Sequence, residues 1–146
     1  MEKSIIYHKK KKEIAKIHNK IQRSRRDRLH KLSNEMTNKY DYIFVEDIDL
    51  IALSKNNKLK NATKDNGYGE FVKMLEYKAK EKGTVVKRID RWYPSSKRCH
   101  VCGNVIDRLD IGVKEWMCPA CRTLLNRDIN AAINIKEEGL KKHTVD

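Results

Sequence analysis

The sequence predicts an α/β protein that carries an inserted four-cysteine zinc ribbon, and three observations support that reading. A strand-like run, Tyr42-Ile43-Phe44-Val45, is followed by a helix-like stretch over about 69–82 and a second strand-like run from Thr84 to Ile89. Strand, helix and strand in succession is an α/β signature, and the crossover should be right-handed if the two strands are parallel neighbours. Cys99, Cys102, Cys118 and Cys121 form two Cys-x-x-Cys pairs separated by 15 residues, a spacing suited to four-thiolate zinc. With 36% charged residues in 146, any core must be small.

The first element is basic. Residues 1–40 hold 13 Lys or Arg and four acids, and so carry most of the net charge of +13. Ile14, Ile17, Ile21, Leu29, Leu32 and Met36 recur at helical spacing, interrupted at Arg25, which predicts a helix of about eight turns with one apolar stripe. Its other faces carry Lys9, Lys10, Lys11, Lys12, Arg23, Arg25, Arg26 and Arg28. Such a run is either a solvated polar face or a phosphate-binding one, and the scarcity of interleaved acids keeps the second reading open.

The Tyr42 run reads as a strand buried on both faces, ending in Glu46-Asp47-Ile48-Asp49. A carboxylate at the carboxyl end of a buried strand is a common site for ligand or catalytic groups in α/β folds, although a chain leaving the core also turns polar. Residues 54–67 have almost no apolar content and read as an exposed loop. The helix after it should turn Phe71, Met74, Leu75 and Ala79 inward and stop at Gly83.

Each Cys-x-x-Cys pair forms a knuckle that points two sulfurs at one ion, and four protein ligands leave no open position, so the zinc should be structural. His100 is then not needed as a ligand and reads as an exposed residue between two cysteines. Val105-Ile106 and Glu115-Trp116-Met117 read as the two strands of a hairpin, with Gly103 permitting the tight return and Trp116 as the small core. So short a module needs the metal to fold. The last helix should run from Asp128 to Glu138, capped by Asn126, with Ile129, Ala132, Ile133 and Leu140 on one side and Gly139 closing it.

No run approaches the roughly 20 apolar residues that span a bilayer, and the first residues lack a signal-peptide core. The expectation is a cytoplasmic protein with reduced thiols and no membrane association, and a pI near 9.6 makes nucleic acid the first candidate partner.

Three pieces together resemble one family. Tyr42 to Ile48 looks like its second nuclease motif, Arg91 to Cys99 with both cysteine pairs is similar to its zinc ribbon and lead-in, and Asn126 to Ile135 looks like its third nuclease motif. The family is the TnpB (OrfB-type) proteins of insertion sequences, relatives of the type V CRISPR effectors. The resemblance implies an RNase H-like (RuvC) fold interrupted by the ribbon: 1–98 a partial RuvC-like domain, 99–121 the ribbon, 122–146 the helix with the third acidic motif. It implies an RNA-guided DNA endonuclease, with DNA and guide RNA as partners, structural Zn, and Mg for a complete nuclease site. Glu46 matches the second catalytic carboxylate and Asp128 the third.

The sequence also departs from the family pattern. The family's first carboxylate is an Asp on a strand before the long helix, and nothing in residues 1–8 resembles it. The RuvC-like fold is therefore expected to be incomplete and, on its own, without appreciable nuclease activity. The chain is then either a transposon remnant or one half of a split protein, the missing carboxylate coming from a separate N-terminal half or a second copy. A non-catalytic, zinc-dependent DNA- or RNA-binding protein is the alternative.

Overall fold

Residues 2–39 contain neither glycine nor proline, so nothing in the backbone interrupts a helix. The computed structural model, which describes residues 2–49, 67–110 and 112–143, shows one continuous helix there, α1 (Glu2–Lys39). It is longer than the eight turns the stripe suggested, at about 57 Å. Residues 54–66 of the expected loop lie outside the described residues.

α1 packs with α2 (Tyr68–Lys82), and the two form one compact unit. α2 buries Met74, Leu75 and Ala79 and stops at Gly83, as its spacing predicted, whereas Val72 is buried in addition and Phe71 is only half-buried. The apolar stripe on α1 behaves differently from the expectation. Ile14, Ile17 and Ile21 are exposed, and Leu29 and Met36 are half-buried. The reason is length: α2 spans about 22 Å and can cover less than half of α1.

Polar side chains are also buried where the helices meet. Ser33 and Thr37 are the buried positions of α1, and Lys78 of α2, only 8% exposed, reaches between them. Its ammonium donates to the His30 carbonyl at 2.5 Å and to Ser33 Oγ at 2.8 Å. One turn on, Lys82 donates to Asn34 Oδ1 at 2.6 Å and to Thr37 Oγ1 at 3.2 Å. Burial weakens proton binding at Lys78, with repulsion from Lys82 adding to it.

The second compact unit holds the strands and the last helix. β1 (Tyr42–Glu46) and β2 (Val85–Ile89) pair in parallel, in register from Tyr42 opposite Val85 to Glu46 opposite Ile89. The two strands are thus the parallel neighbours that an α/β crossover requires. β1 is less buried than its composition suggested: Ile43 is buried, Tyr42 is exposed and the rest are intermediate. Among the described residues β1 has β2 along one edge and no strand along the other.

α3 (Arg127–His143) packs on this pair and extends past the expected stop. Gly139 is not the terminator but a buried point of close approach, because a Cβ there would fall 2.2 Å from Phe44 Cδ1. The apolar side read from the sequence is not the side this helix buries. Ile129 is 62% exposed and Ala132 and Leu140 are exposed, while Asn130, Asn134 and Gly139 are buried. Asn126 caps the helix as predicted, its Oδ1 accepting from the N–H groups of Asp128 and Ile129, both at 3.1 Å.

The ribbon hairpin differs from the expected one. β3 (Glu115–Met117) pairs antiparallel with β4 (Leu124–Asn126), not with Val105, which forms an isolated bridge with Arg98. Both strands flank the second cysteine pair, so that knuckle is the turn of its own hairpin. Cys99, Trp116, Cys118 and Leu125 make the ribbon core, as foreseen for Trp116. Among the described residues no helix is long and apolar enough to cross a membrane.

Candidate metal centre and carboxylate site

The two knuckles repeat one hydrogen-bond pattern. Gly103 N donates to Cys99 O at 2.8 Å and Arg122 N to Cys118 O at 2.9 Å, while Cys99 N donates to Asn104 O and Cys118 N to Thr123 O. Each turn needs a left-handed residue just after its second cysteine. Gly103 supplies it at φ 77°, as predicted, and Arg122 adopts it at φ 57° despite its side chain.

This geometry brings the four sulfurs within 4.8 Å of one another, with Cys99 to Cys121 at 3.7 Å and Cys102 to Cys118 at 3.6 Å. A zinc tetrahedron with bonds of about 2.3 Å has edges of about 3.8 Å, so the donor set fits that ion. All four cysteines are free thiols. The Thr123 hydroxyl and backbone N–H hold Cys121 down at about 6. Cys102, despite an N–H from Asn104 that favours its thiolate, is pushed up to about 12 by burial and by the neighbouring thiols. Bound zinc would replace this shared protonation with four thiolates.

At the carboxyl end of β1, Glu46 Oε1 accepts from Ser95 Oγ at 2.5 Å. Asp47 is gripped by Arg91 (Nη2 to Oδ2 2.8 Å, Nε to Oδ2 3.2 Å) and by Arg88 at 3.3 Å, and Arg91 also reaches Asp49 at 3.3 Å. The Arg91 guanidinium, with Arg88 beside it, holds the Asp47 carboxyl below its usual range. Asp128 stands exposed in the first turn of α3.

Among the described residues the four cysteines are the one group of three or more His, Cys, Asp or Glu placed to share an ion. Glu46 and Asp128 belong to no such group, so the described carboxylates do not by themselves fit a two-magnesium site.

The lead-in to the ribbon is fastened by residues that sequence reasoning had not singled out. Asn130 and Asn134 both donate Nδ2 to the carbonyls of Ser95 and Arg98, and Asn130 Oδ1 accepts the His100 backbone N–H at 3.0 Å. His100 Nδ1 also faces that oxygen at 3.0 Å, and since a carbonyl only accepts, Nδ1 carries the proton. His100 is thus half-buried and engaged, not simply exposed. The signal available in sequence was two asparagines four apart, one helical turn, in an otherwise apolar pattern.

The basic residues all lie on α1. Lys9 to Lys12, Arg23, Arg26 and Arg28 are exposed and Arg25 is half-buried. Arg26 pairs with Glu70 at 3.0 Å. Arg23, Arg25, Arg26 and Glu70 line an open cleft of about 520 Å³.

A family model described as "Probable transposase", OrfB of IS605 type, matches residues 1–57, and one described as "Cas12f1-like, TNB domain" matches residues 68–135. The chain belongs to the TnpB/OrfB family. A Streptomyces pristinaespiralis relative, named "Putative RNA-guided DNA endonuclease", is 41% identical over 132 residues, covering 90% of this chain and 33% of that protein. A second relative, "TnpB-like protein L79" of Acanthamoeba polyphaga mimivirus, is 31% identical over 135 residues, covering 88% of this chain and 25% of that one. The fold is similar to that in a Cas12f1–sgRNA–target DNA complex, with a TM-score of 0.61 at 21% identity over 81% of this chain and 35% of that one. The chain therefore spans about a third or less of the length of the curated relatives it matches.

Proposed function

We propose that this chain supplies the second and third carboxylate motifs and the zinc ribbon of an RNA-guided DNA endonuclease, binds DNA and guide RNA through α1, and does not cut DNA alone. The observation that carries this reading is a convergence at the carboxyl end of β1. There Glu46 meets the ribbon lead-in at Ser95, and α3, which carries Asp128 in its first turn, is hydrogen-bonded to the same Ser95. In this reading Glu46 and Asp128 are catalytic carboxylates. Zinc at Cys99, Cys102, Cys118 and Cys121 fixes the ribbon, and it fills no catalytic role because it has no open position.

A complete site would hold Mg²⁺, and it needs a third carboxylate in addition to Glu46 and Asp128. The test joins this chain to the additional portion of a relative and measures DNA cleavage. Glu46→Ala and Asp128→Ala should each abolish it, and cleavage retained by either variant removes that residue from the site.

A second reading, a zinc-dependent DNA- or RNA-binding protein without catalysis, is favoured by the missing third carboxylate among the described residues. It predicts salt-sensitive binding by the isolated chain and no cleavage in the joined one.

A further inference from the structure

Glu46 and the first zinc knuckle are joined by an unbroken series of hydrogen bonds. Ser95 Oγ donates to Glu46 Oε1 at 2.5 Å, and the carbonyl of the same Ser95 accepts from Asn134 Nδ2 at 2.8 Å and Asn130 Nδ2 at 3.4 Å. Those amides also donate to the carbonyl of Arg98, the residue before the first ligand, at 2.6 and 2.7 Å. Asn130 Oδ1 closes the series on His100, between Cys99 and Cys102. We propose that Ser95 is a positioning residue for Glu46, and that the zinc knuckle holds Ser95 in place through Asn130 and Asn134.

The argument is one of freedom removed step by step. The β ladder fixes the backbone of Glu46, but the ladder alone does not orient a glutamate side chain. A hydroxyl donated to an ionised oxygen is the strong kind of hydrogen bond, and it orients the acceptor only if the donor is itself immobile. Ser95 meets that condition. It is buried, follows Pro94, donates its N–H to Tyr93 O at 2.8 Å, and its carbonyl is clamped by two asparagines that are themselves buried on α3. The knuckle in turn fixes those asparagines at Arg98 and His100. A ribbon that loses its metal would therefore loosen the Ser95 hydrogen bond to Glu46.

Its functional importance rests on the reading of Glu46 as catalytic, but the linkage can be tested without cleavage. The zinc-loaded chain, labelled with ¹³C at glutamate carboxyls, gives a Glu46 signal identified by its disappearance in Glu46→Gln. Ser95→Ala should move that signal, and Ser95→Thr, which keeps the hydroxyl, should return it to the wild-type position. Asn130→Ala should move it too, although Asn130 touches neither Glu46 nor the Ser95 hydroxyl. If Asn130→Ala fails to retain about one zinc, His100→Ala, which removes only the ring contact, takes its place with the same expectation. A Glu46 signal unmoved by Ser95→Ala, or unmoved by the Asn130 or His100 variant, overturns the proposal. Cleavage surviving Glu46→Gln in the joined chain would instead remove the catalytic reading and leave the linkage to the carboxyl signal.

Discussion

The ring of Phe44 occupies the space a side chain on Gly139 would need, with Phe44 Cδ1 only 2.2 Å from where that Cβ would lie. A glycine inside a helix is normally a defect, costing about 1 kcal/mol relative to alanine. Here it lets α3 approach β1. Gly139→Ala should therefore destabilise the strand-and-helix unit despite the better helix former. Overpacking of about 1–3 kcal/mol should outweigh the propensity gain. Urea unfolding checks this, and adding Phe44→Leu should restore part of the loss.

Zinc content and ribbon folding should go together. Metal analysis should return about one zinc per chain. Because Trp116 is 7% exposed and Trp92 is 86% exposed, a Trp92→Phe background reports on the ribbon alone. Chelation should shift Trp116 emission to the red and broaden the backbone resonances of the ribbon. Unchanged emission after full zinc removal would mean the ribbon folds without its metal.

The helix pair should grow more stable as pH rises. Burial lowers the pKa of Lys78 in the folded state, so between that lowered value and the ordinary one the unfolded chain binds more protons. Stability accordingly climbs with pH through that interval and is flat below it. Helical circular dichroism during urea unfolding of the zinc-saturated chain, from pH 7 to about 10.5, measures the slope. Lys78→Met should flatten it relative to wild type, and an equal slope in the variant would assign the effect to other groups.

Binding to duplex DNA should weaken steeply with salt, and the slope should name the residues. Each phosphate contact contributes about 0.9 to the slope of log affinity against log salt. Replacing Lys9, Lys10, Lys11 and Lys12 with alanine should lower the slope by one contact's worth or more. Arg26→Ala should have a smaller effect because that side chain is already engaged with Glu70. A slope unchanged by the four-lysine variant would remove that run from the interface.

The sequence made the local signals legible and left tertiary ones hidden. Knuckle spacing, the Gly83 stop and the Asn126 cap all follow from short-range rules. The burial of Asn130 and Asn134 did not, because a polarity pattern assigns asparagine to solvent unless its partners are known, and those partners are the carbonyls of Ser95 and Arg98. The α1 stripe was misjudged for a related reason: periodicity reports an apolar face, while the length of the neighbouring helix decides how much of it is covered. The hairpin error came from pairing the wrong segments. Val105-Ile106 has β-branched residues, but the turn at the second cysteine pair joins Glu115–Met117 to Leu124–Asn126. At the carboxylates, Glu46 was legible from its place at a strand end, whereas the Ser95 contact depends on a return of the chain 49 residues later.

Asn126 belongs to two elements at once. Its backbone ends the β4 ladder opposite Glu115, its side chain caps α3, and the next residue, Arg127, donates its N–H to Lys114 O at 2.8 Å. No linker separates hairpin from helix, so the hairpin sets the rotational phase of α3. One residue inserted between Cys121 and Asn126 would either break the ladder or turn Asp128 by about 100° around the helix axis. The loop of the second cysteine pair thus acts as an index mark for an acid seven positions beyond Cys121, so a change in its length would re-aim a side chain outside it.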